Sequence, residues 1–212
     1  MYSRTAKFQT LYEQLLNSPY VSPPPPWRKT VELEKECILG AGFVDEGSRL
    51  ILLYEDGREL LDCMTGNTIT LDDTPFEQDC DWWDARDLAI SGIGPASGRW
   101  IRLACAFGGG YHRVGYMNWK VIVVNLFWPH TDVLLLPPYS NGLDGALKIF
   151  RATTMLLGCG FSPDGESLAV VARDQLLVYR TVEGRYEGSR DGEGMGDEKR
   201  SGVVSPDAGW AS

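Results

Sequence analysis

Residues 159–179 read CGFSPDGESLAVVARDQLLVY, and this stretch decides the fold prediction. It contains a Ser-Pro-Asp-Gly turn, an apolar run, an Arg-Asp turn and a second apolar run. Pro163 fixes φ near the value that a turn needs, and Gly165 accepts the positive φ that other residues resist. Short apolar runs that are bounded by turn signals indicate β-strands buried on both faces.

The same order of features occurs earlier in the chain, where residues 42–64 read GFVDEGSRLILLYEDGRELLDCM. Turns are predicted at 45–47 and 55–57, and an alternating run at 67–71 predicts a fourth strand. In the late copy the fourth strand is predicted only weakly, at 185–186. A layout that is used twice indicates a repeat architecture.

A looser third copy lies between the two and has four predicted strands, at 87–93, 99–107, 119–127 and 132–136. Its middle turn is enlarged into a glycine-rich segment, residues 108–118. Long loops on a rigid scaffold often carry function, so this segment is interpreted as a flexible lid or a recognition finger.

Two short motifs carry a resemblance to a known family. Phe161-Ser162-Pro163-Asp164-Gly165 matches the turn after the first strand of a WD-repeat blade, and Thr65-Gly66 matches the usual link between third and fourth strands. Over residues 38–186 the chain therefore resembles the WD-repeat and related β-propeller families. No Gly-His pair opens a blade, and the only Trp-Asp pair, Trp83-Asp84, lies between predicted blades.

The resemblance implies an all-β fold of antiparallel four-stranded blades, as a partial or divergent propeller of about three blades with a short N-terminal helix. A β-sandwich is the alternative, because Gly-rich turns between short strands are general to all-β domains. Three blades leave open ends, since propellers have about four to eight. A homodimer could close a six-bladed ring, terminal segments could cap the ends, or the chain could be a fragment of a longer array.

The predicted organisation has four parts: an N-terminal amphipathic helix (1–18), a proline-rich linker (19–30), the β domain (31–186) and a disordered tail (187–212). We expect the apolar stripe of the helix to pack on the β domain, where it could cover an exposed blade face. Pro23, Pro26 and Arg28 also fit the P-x-x-P-x-R spacing that aromatic-lined grooves recognise. The tail has too few apolar residues to offset the entropy of ordering.

Charge and cysteine content narrow the function classes. The net charge of −9 opposes binding to nucleic acid or anionic membranes and is compatible with a basic protein partner. The five cysteines are odd in number and widely spaced, so neither a disulfide framework nor a zinc site is indicated. We expect an intracellular, cytoplasmic protein, with the nucleus as an alternative.

The leading functional prediction is a non-catalytic protein–protein interaction scaffold without metal or cofactor. Its candidate contact loops are residues 79–87 and 108–118, and the candidate partner-binding residues are Trp82, Trp83, Asp84, Tyr111, His112, Arg113 and Tyr116. For the two tryptophans, packing into the seam between blades is the simpler interpretation.

Two alternatives stay open at this point. The first is a carbohydrate-binding or hydrolytic propeller that uses the Asp/Trp cluster, with Asp81 and Asp84 as acid–base candidates. The second is an acidic inhibitor of a basic protein, which the negative net charge would favour.

Overall fold

The structure is a computed structural model, which describes residues 13, 15, 17–77, 80–105, 108–127, 130–140 and 142–182. These residues contain sixteen strands. In chain order they are β1 (Trp27–Glu34), β2 (Ile38–Val44), β3 (Arg49–Tyr54), β4 (Arg58–Asp62), β5 (Thr68–Asp72), β6 (Trp83–Asp84), β7 (Ala89–Ser91), β8 (Trp100–Arg102), β9 (Ala104–Cys105), β10 (Gly108–Gly109), β11 (Lys120–Phe127), β12 (His130–Leu136), β13 (Leu147–Ala152), β14 (Leu156–Phe161), β15 (Ser167–Ala172) and β16 (Gln175–Thr181).

The strands form four antiparallel sheets, which we number in chain order. Sheet I has the strand order β10-β9-β2-β3-β4-β5, and sheet II has β6-β7-β8. Sheet III has the order β11-β12-β13, and sheet IV has β1-β16-β15-β14. The all-β antiparallel fold is therefore confirmed, and four small sheets replace the two packed sheets that a β-sandwich would have.

The early copy of the repeat forms β2 to β5 of sheet I, with all four strands at the predicted places. The late copy forms β14 to β16, and Gly165 has φ +76°, as its turn requires. The fourth strand of this sheet is β1, which places Trp27 opposite Thr181 and Glu34 opposite Gln175. The weak fourth strand predicted at 185–186 lies outside the described residues.

The prediction of one middle blade is wrong. Its first half forms sheet II and the short strands β9 and β10, which extend sheet I through pairing with β2. Its second half forms β11 and β12, which pair with β13 in sheet III. Strands β6 to β10 are only two or three residues long, so they leave little periodic signal in the sequence.

Three apolar cores join the sheets face to face in the order III, IV, I, II. Val121, Val133 and Leu135 of sheet III meet Phe161 and Val170 of sheet IV in the first core. The next residue along β15, Val171, points into the second core, between sheets IV and I. A fully buried side chain of this size contributes about 1.5–3 kcal/mol.

The third core lies between sheets I and II, where Ile51, Leu53 and Leu60 pack against Ile90 and Ile101. Each pair of sheets in contact is also adjacent in cyclic chain order, as in a ring of blades. Within the described residues no apolar core joins sheet II to sheet III, so the four sheets form an unclosed arc.

The N-terminal segment covers the free face of sheet III at one end of the arc. Leu15 is helical and only 6% exposed, and it forms a core cluster with Leu134 and Leu136. Glu13 and Asn17 are helical too, and the rest of the predicted helix lies outside the described residues, as does the predicted tail. A second copy that closed the ring would need this face, so the homodimer remains a prediction.

The helical residues that the structure describes do not form any segment with the length and hydropathy that crossing a membrane requires.

Candidate interaction surface

Segment 108–118 is fixed by backbone hydrogen bonds to the sheets around it. The N–H of Phe161 in β14 donates to the carbonyl of His112 over 2.7 Å, and the N–H of Tyr116 donates to the carbonyl of Gly165 over 2.9 Å. The N–H of Val121 donates to the carbonyl of Arg113 over 3.0 Å. The segment is therefore an anchored loop rather than a flexible lid.

Tyr111 is a structural residue of this loop. Its hydroxyl donates to the carbonyl of Ala41 in β2 over 2.7 Å, and its ring packs 5.1 Å from that of Phe43. Burial raises the pKa of Tyr111 well above its ordinary value. Gly160 makes room for it, because a Cβ there would lie 2.5 Å from the Cβ of Tyr111. The hydroxyl is therefore committed to the fold.

The far end of the loop presents apolar side chains to solvent. Val114, Tyr116 and Met117, which we call the tip, are 49%, 40% and 65% exposed. Met117 and Asn118 have φ values of +51° and +68°, which non-glycine residues rarely adopt. Such strain persists only where the surroundings fix the backbone, and it is common at binding sites.

A shallow cavity of about 340 Å³ adjoins the tip. It is lined by residues of the loop and of β11, namely Arg113, Val114, Lys120, Val121, Ile122 and Val123. Strand β11 is the edge strand of sheet III, and the hydrogen bonds of the loop to this edge end at Val121. The surface therefore continues from the tip along a strand edge.

Acidic turns border the other side of the tip. Gly165, which accepts the hydrogen bond of Tyr116, lies between the exposed side chains of Asp164 and Glu166. This turn also contacts the first turn of the early copy, since the hydroxyl of Ser167 donates to the carbonyl of Gly47 over 2.9 Å. The exposed Glu46 belongs to that second turn.

The other predicted contact segment, 79–87, is mostly committed to structure. Trp82 is 9% exposed in the core between sheets I and II, and the Arg58 guanidinium lies 4.1 Å from its ring centroid. Trp82 thus packs in the seam between sheets, and no open face remains for the sugar stacking of the carbohydrate alternative. Half-buried Trp83 packs edge-on against Phe76, with ring centroids 5.5 Å apart.

The aspartates of this segment hold a turn. The Oδ1 atom of Asp84 accepts the N–H groups of Arg86 and Asp87 over 2.9 and 3.1 Å. Asp81 is exposed, and Asp79 lies outside the described residues. Among the side chains that the structure describes, no group of three or more His, Cys, Asp or Glu could hold a metal ion.

Two buried ionic residues between sheets I and II were missed from the sequence. Arg58 donates through Nη1 to the carbonyl of Ser91 over 2.7 Å and forms an ion pair with Asp72, so it fastens sheet II to sheet I. Glu59, 3% exposed, accepts hydrogen bonds from Tyr54, Thr68 and Lys35. Burial opposes its ionisation, but these donors outweigh it and lower the pKa of Glu59.

A second buried ionic cluster fastens the N-terminal segment to sheet III. Asp132, 2% exposed, accepts hydrogen bonds from the Tyr20 hydroxyl over 3.0 Å and from Arg151 Nε over 2.8 Å. Burial opposes the ionisation of Asp132, but Arg151, Tyr20 and Lys148 together lower its pKa. The signal in the sequence was weak, because each residue is an isolated charge in an apolar strand and the partners are distant along the chain.

The two predicted segments contact different parts of the molecule. Trp82 and Trp83 pack at the core between sheets I and II, whereas Tyr111 packs at the core between sheets IV and I. His112 and Arg113 are exposed beside the tip, and Arg113 Nη1 donates to the carbonyl of Cys159 over 3.4 Å. The tip, with these two residues, is thus the part of the predicted site that solvent reaches.

A scan against protein-family models finds no match, and neither does a search of curated proteins. Two solved structures are similar in part. One is a chain in the crystal structure of the mitotic checkpoint complex, with 15% identity, 68% of this chain and 50% of that chain covered, and a TM-score of 0.20. The other is the β-propeller domain of Cps50 (Swd1) from Myceliophteria thermophila, with 10% identity, 79% and 61% covered, and a TM-score of 0.21.

At these TM-scores the similarity carries no detail of the fold or of the site to this chain. The chain spans less than two thirds of the length of either structure's matched chain.

Proposed function

We propose that this protein is a non-catalytic protein–protein interaction scaffold and that the tip is its principal contact. The observation that carries the proposal is the exposure of three apolar side chains on a loop whose backbone is hydrogen-bonded to sheet IV. A contact surface that is rigid before binding loses little conformational entropy when the partner docks. Tyr and Met are also among the residue types that are enriched at protein interfaces.

The border of the tip supports a basic partner. Asp164, Glu166 and Glu46 are exposed on the two turns beside it, in a chain of net charge −9. Complementary charge at the rim of an interface steers encounter and adds specificity, and salt weakens it. An inhibitor of a basic protein would be one form of this function.

The test is affinity capture with quantitative mass spectrometry, comparing the wild-type chain with Met117→Asp. A charge in the centre of an apolar contact costs a hot-spot residue about 2 kcal/mol or more, so recovery of the true partner should fall at least about tenfold. Met155→Asp is the matched control, since Met155 is 56% exposed at another place. Proteins that bind both variants equally well are nonspecific.

If every partner of the wild type is recovered equally well by Met117→Asp, the tip is not the contact. Tyr116→Ala then distinguishes a tip that tolerates one substitution from one that takes no part. Loss of capture by Met155→Asp as well would place the contact elsewhere on the arc.

A further inference from the structure

One pocket of this acidic chain has a basic lining. It lies at one end of the seam between sheets IV and I and has a volume of about 510 Å³. Arg28, Lys29 and Arg180 line it together with Met64 and Val182, and the described lining includes no acidic residue. The whole chain has 29 acidic and 20 basic residues, so the local balance is the reverse of the global one.

The two arginines are direct neighbours in sheet IV. Arg28 of β1 and Arg180 of β16 are paired in the register of the two antiparallel strands. Side chains that are directly opposite share one face of the sheet and have Cβ atoms about 4.5–5.5 Å apart. Like charges at this spacing destabilise a sheet, so the pair needs a counter-charge.

The described part of the chain supplies that counter-charge only weakly. None of the ion pairs between described residues includes Arg28 or Arg180, whereas Lys29 pairs with Glu32. Asp62 is the nearby carboxylate, but its Oδ1 accepts the N–H groups of Met64 and Thr65 over 2.8 and 2.9 Å. It therefore serves its own turn first.

We propose that Arg28 and Arg180 bind a phosphate-class dianion in this pocket. A guanidinium matches phosphate oxygens with two parallel hydrogen bonds, and two of them match the charge of a phosphate monoester better than that of a single carboxylate. The volume lies within the range of about 300–1,000 Å³ that small-molecule pockets occupy, which leaves room for the group that carries the phosphate. Met64 and Val182 give that group an apolar wall.

Thermal unfolding of the full chain tests the proposal, with inorganic phosphate titrated against sodium chloride at equal ionic strength. A ligand that binds only the folded state raises the midpoint with the logarithm of its concentration. We expect this rise in the wild type and its loss in the double variant Arg28→Gln/Arg180→Gln. Arg102→Gln, which removes an exposed arginine of sheet II, should keep the full rise.

Loss of response through misfolding is separable from loss of the site. Removing one of two repelling arginines should leave the phosphate-free midpoint of Arg28→Gln unchanged or higher. A lower midpoint without phosphate would mean that the protein itself supplies Arg28 with an anionic partner, and this would overturn the proposal. The same holds for an equal phosphate response in the wild type and the double variant, which would locate the binding elsewhere.

O-phosphoserine and serine distinguish the source of the phosphate. A stronger response to O-phosphoserine than to inorganic phosphate supports a phosphate ester as the ligand, and equal responses support free phosphate. Serine should give no response. No midpoint shift with either phosphate compound would overturn the proposal, and it would leave the function proposed for the tip untouched, because the two surfaces share no residue.

Discussion

Sheets I and IV descend from the same repeated layout, yet they obtain their fourth strands in different ways. In sheet I the fourth strand, β5, follows directly along the chain, and Ile69 and Leu71 on it are 40% and 58% exposed. In sheet IV the fourth strand, β1, comes from the N-terminal side of the domain, and Trp27 and Val31 on it are 3% and 4% exposed. Strands at equivalent positions therefore differ in what they stabilise.

The difference follows from where each strand points its side chains. Trp27 belongs to the core between sheets III and IV, and Val31 belongs to the core between sheets IV and I. Strand β1 thus ties together three of the four sheets, whereas β5 forms an outer edge with one sheet. We infer that the arc is held closed at its middle by the pairing of β1 with β16.

The largest expected effect is the loss of the Trp27 side chain. Its ring packs 5.4 Å from Phe161 and 6.5 Å from Trp119, so Trp27→Ala should lower the free energy of unfolding by about 3–5 kcal/mol. Leu71→Ala, at the exposed strand β5, should change it by no more than about 0.5 kcal/mol. Urea unfolding followed by circular dichroism measures both, and similar values would remove the distinction between the two strands.

Charge placement is the second difference between the copies. Glu59 lies opposite Leu52 in sheet I, and the corresponding place in sheet IV, opposite Val170, is occupied by Leu177. Sheet I therefore buries a carboxylate where sheet IV buries a leucine. Its hydrogen bonds to Tyr54, Thr68 and Lys35 make this position sensitive to pH.

Glu59→Gln should cost about 1.5–3 kcal/mol at neutral pH, the value of hydrogen bonds to a charged group. Because the pKa of Glu59 is lowered by folding, its contribution is present above the unfolded pKa of about 4.3 and is lost as the pH falls through the lower, folded value. The variant should therefore lose less stability than the wild type on acidification below about pH 4. Equal acid profiles for both proteins would contradict this role, and exposed Glu166→Gln is the control.

The same comparison explains how far the sequence could predict the fold. The strands of sheet I were predictable because Gly and Asp turns mark every boundary and each strand pairs with its neighbour in the chain. The place of β1 was not, because its partner β16 is distant and its sequence, WRKTVELE, mixes charged with apolar residues. Sheets II and III were merged for a related reason, since short strands carry almost no periodicity.

The candidate site was predictable in part. Burial of Trp82 in a seam follows from its size and apolar character, and the structure places it there. The anchoring of segment 108–118 was not predictable, because its glycines suggested freedom. The three-dimensional reason lies in distant residues, namely the carbonyl of Ala41 and the backbone of Phe161, which hold Tyr111 and His112.

The smallest expected effect concerns the first residues after the two equivalent turns, Ser167 in β15 and Arg49 in β3. Ser167 is fully buried, and its hydroxyl donates to the carbonyl of Gly47 over 2.9 Å, so Ser167→Ala should cost about 1 kcal/mol. Arg49 forms a partly exposed ion pair with Asp45 over 3.3 Å, and Arg49→Ala should cost less than about 1 kcal/mol. Salt separates the two, because screening weakens an exposed ion pair and leaves a buried hydrogen bond unchanged. If the cost of Ser167→Ala in urea unfolding falls with added salt as that of Arg49→Ala should, the contact between the two turns is not the buried link that its geometry indicates.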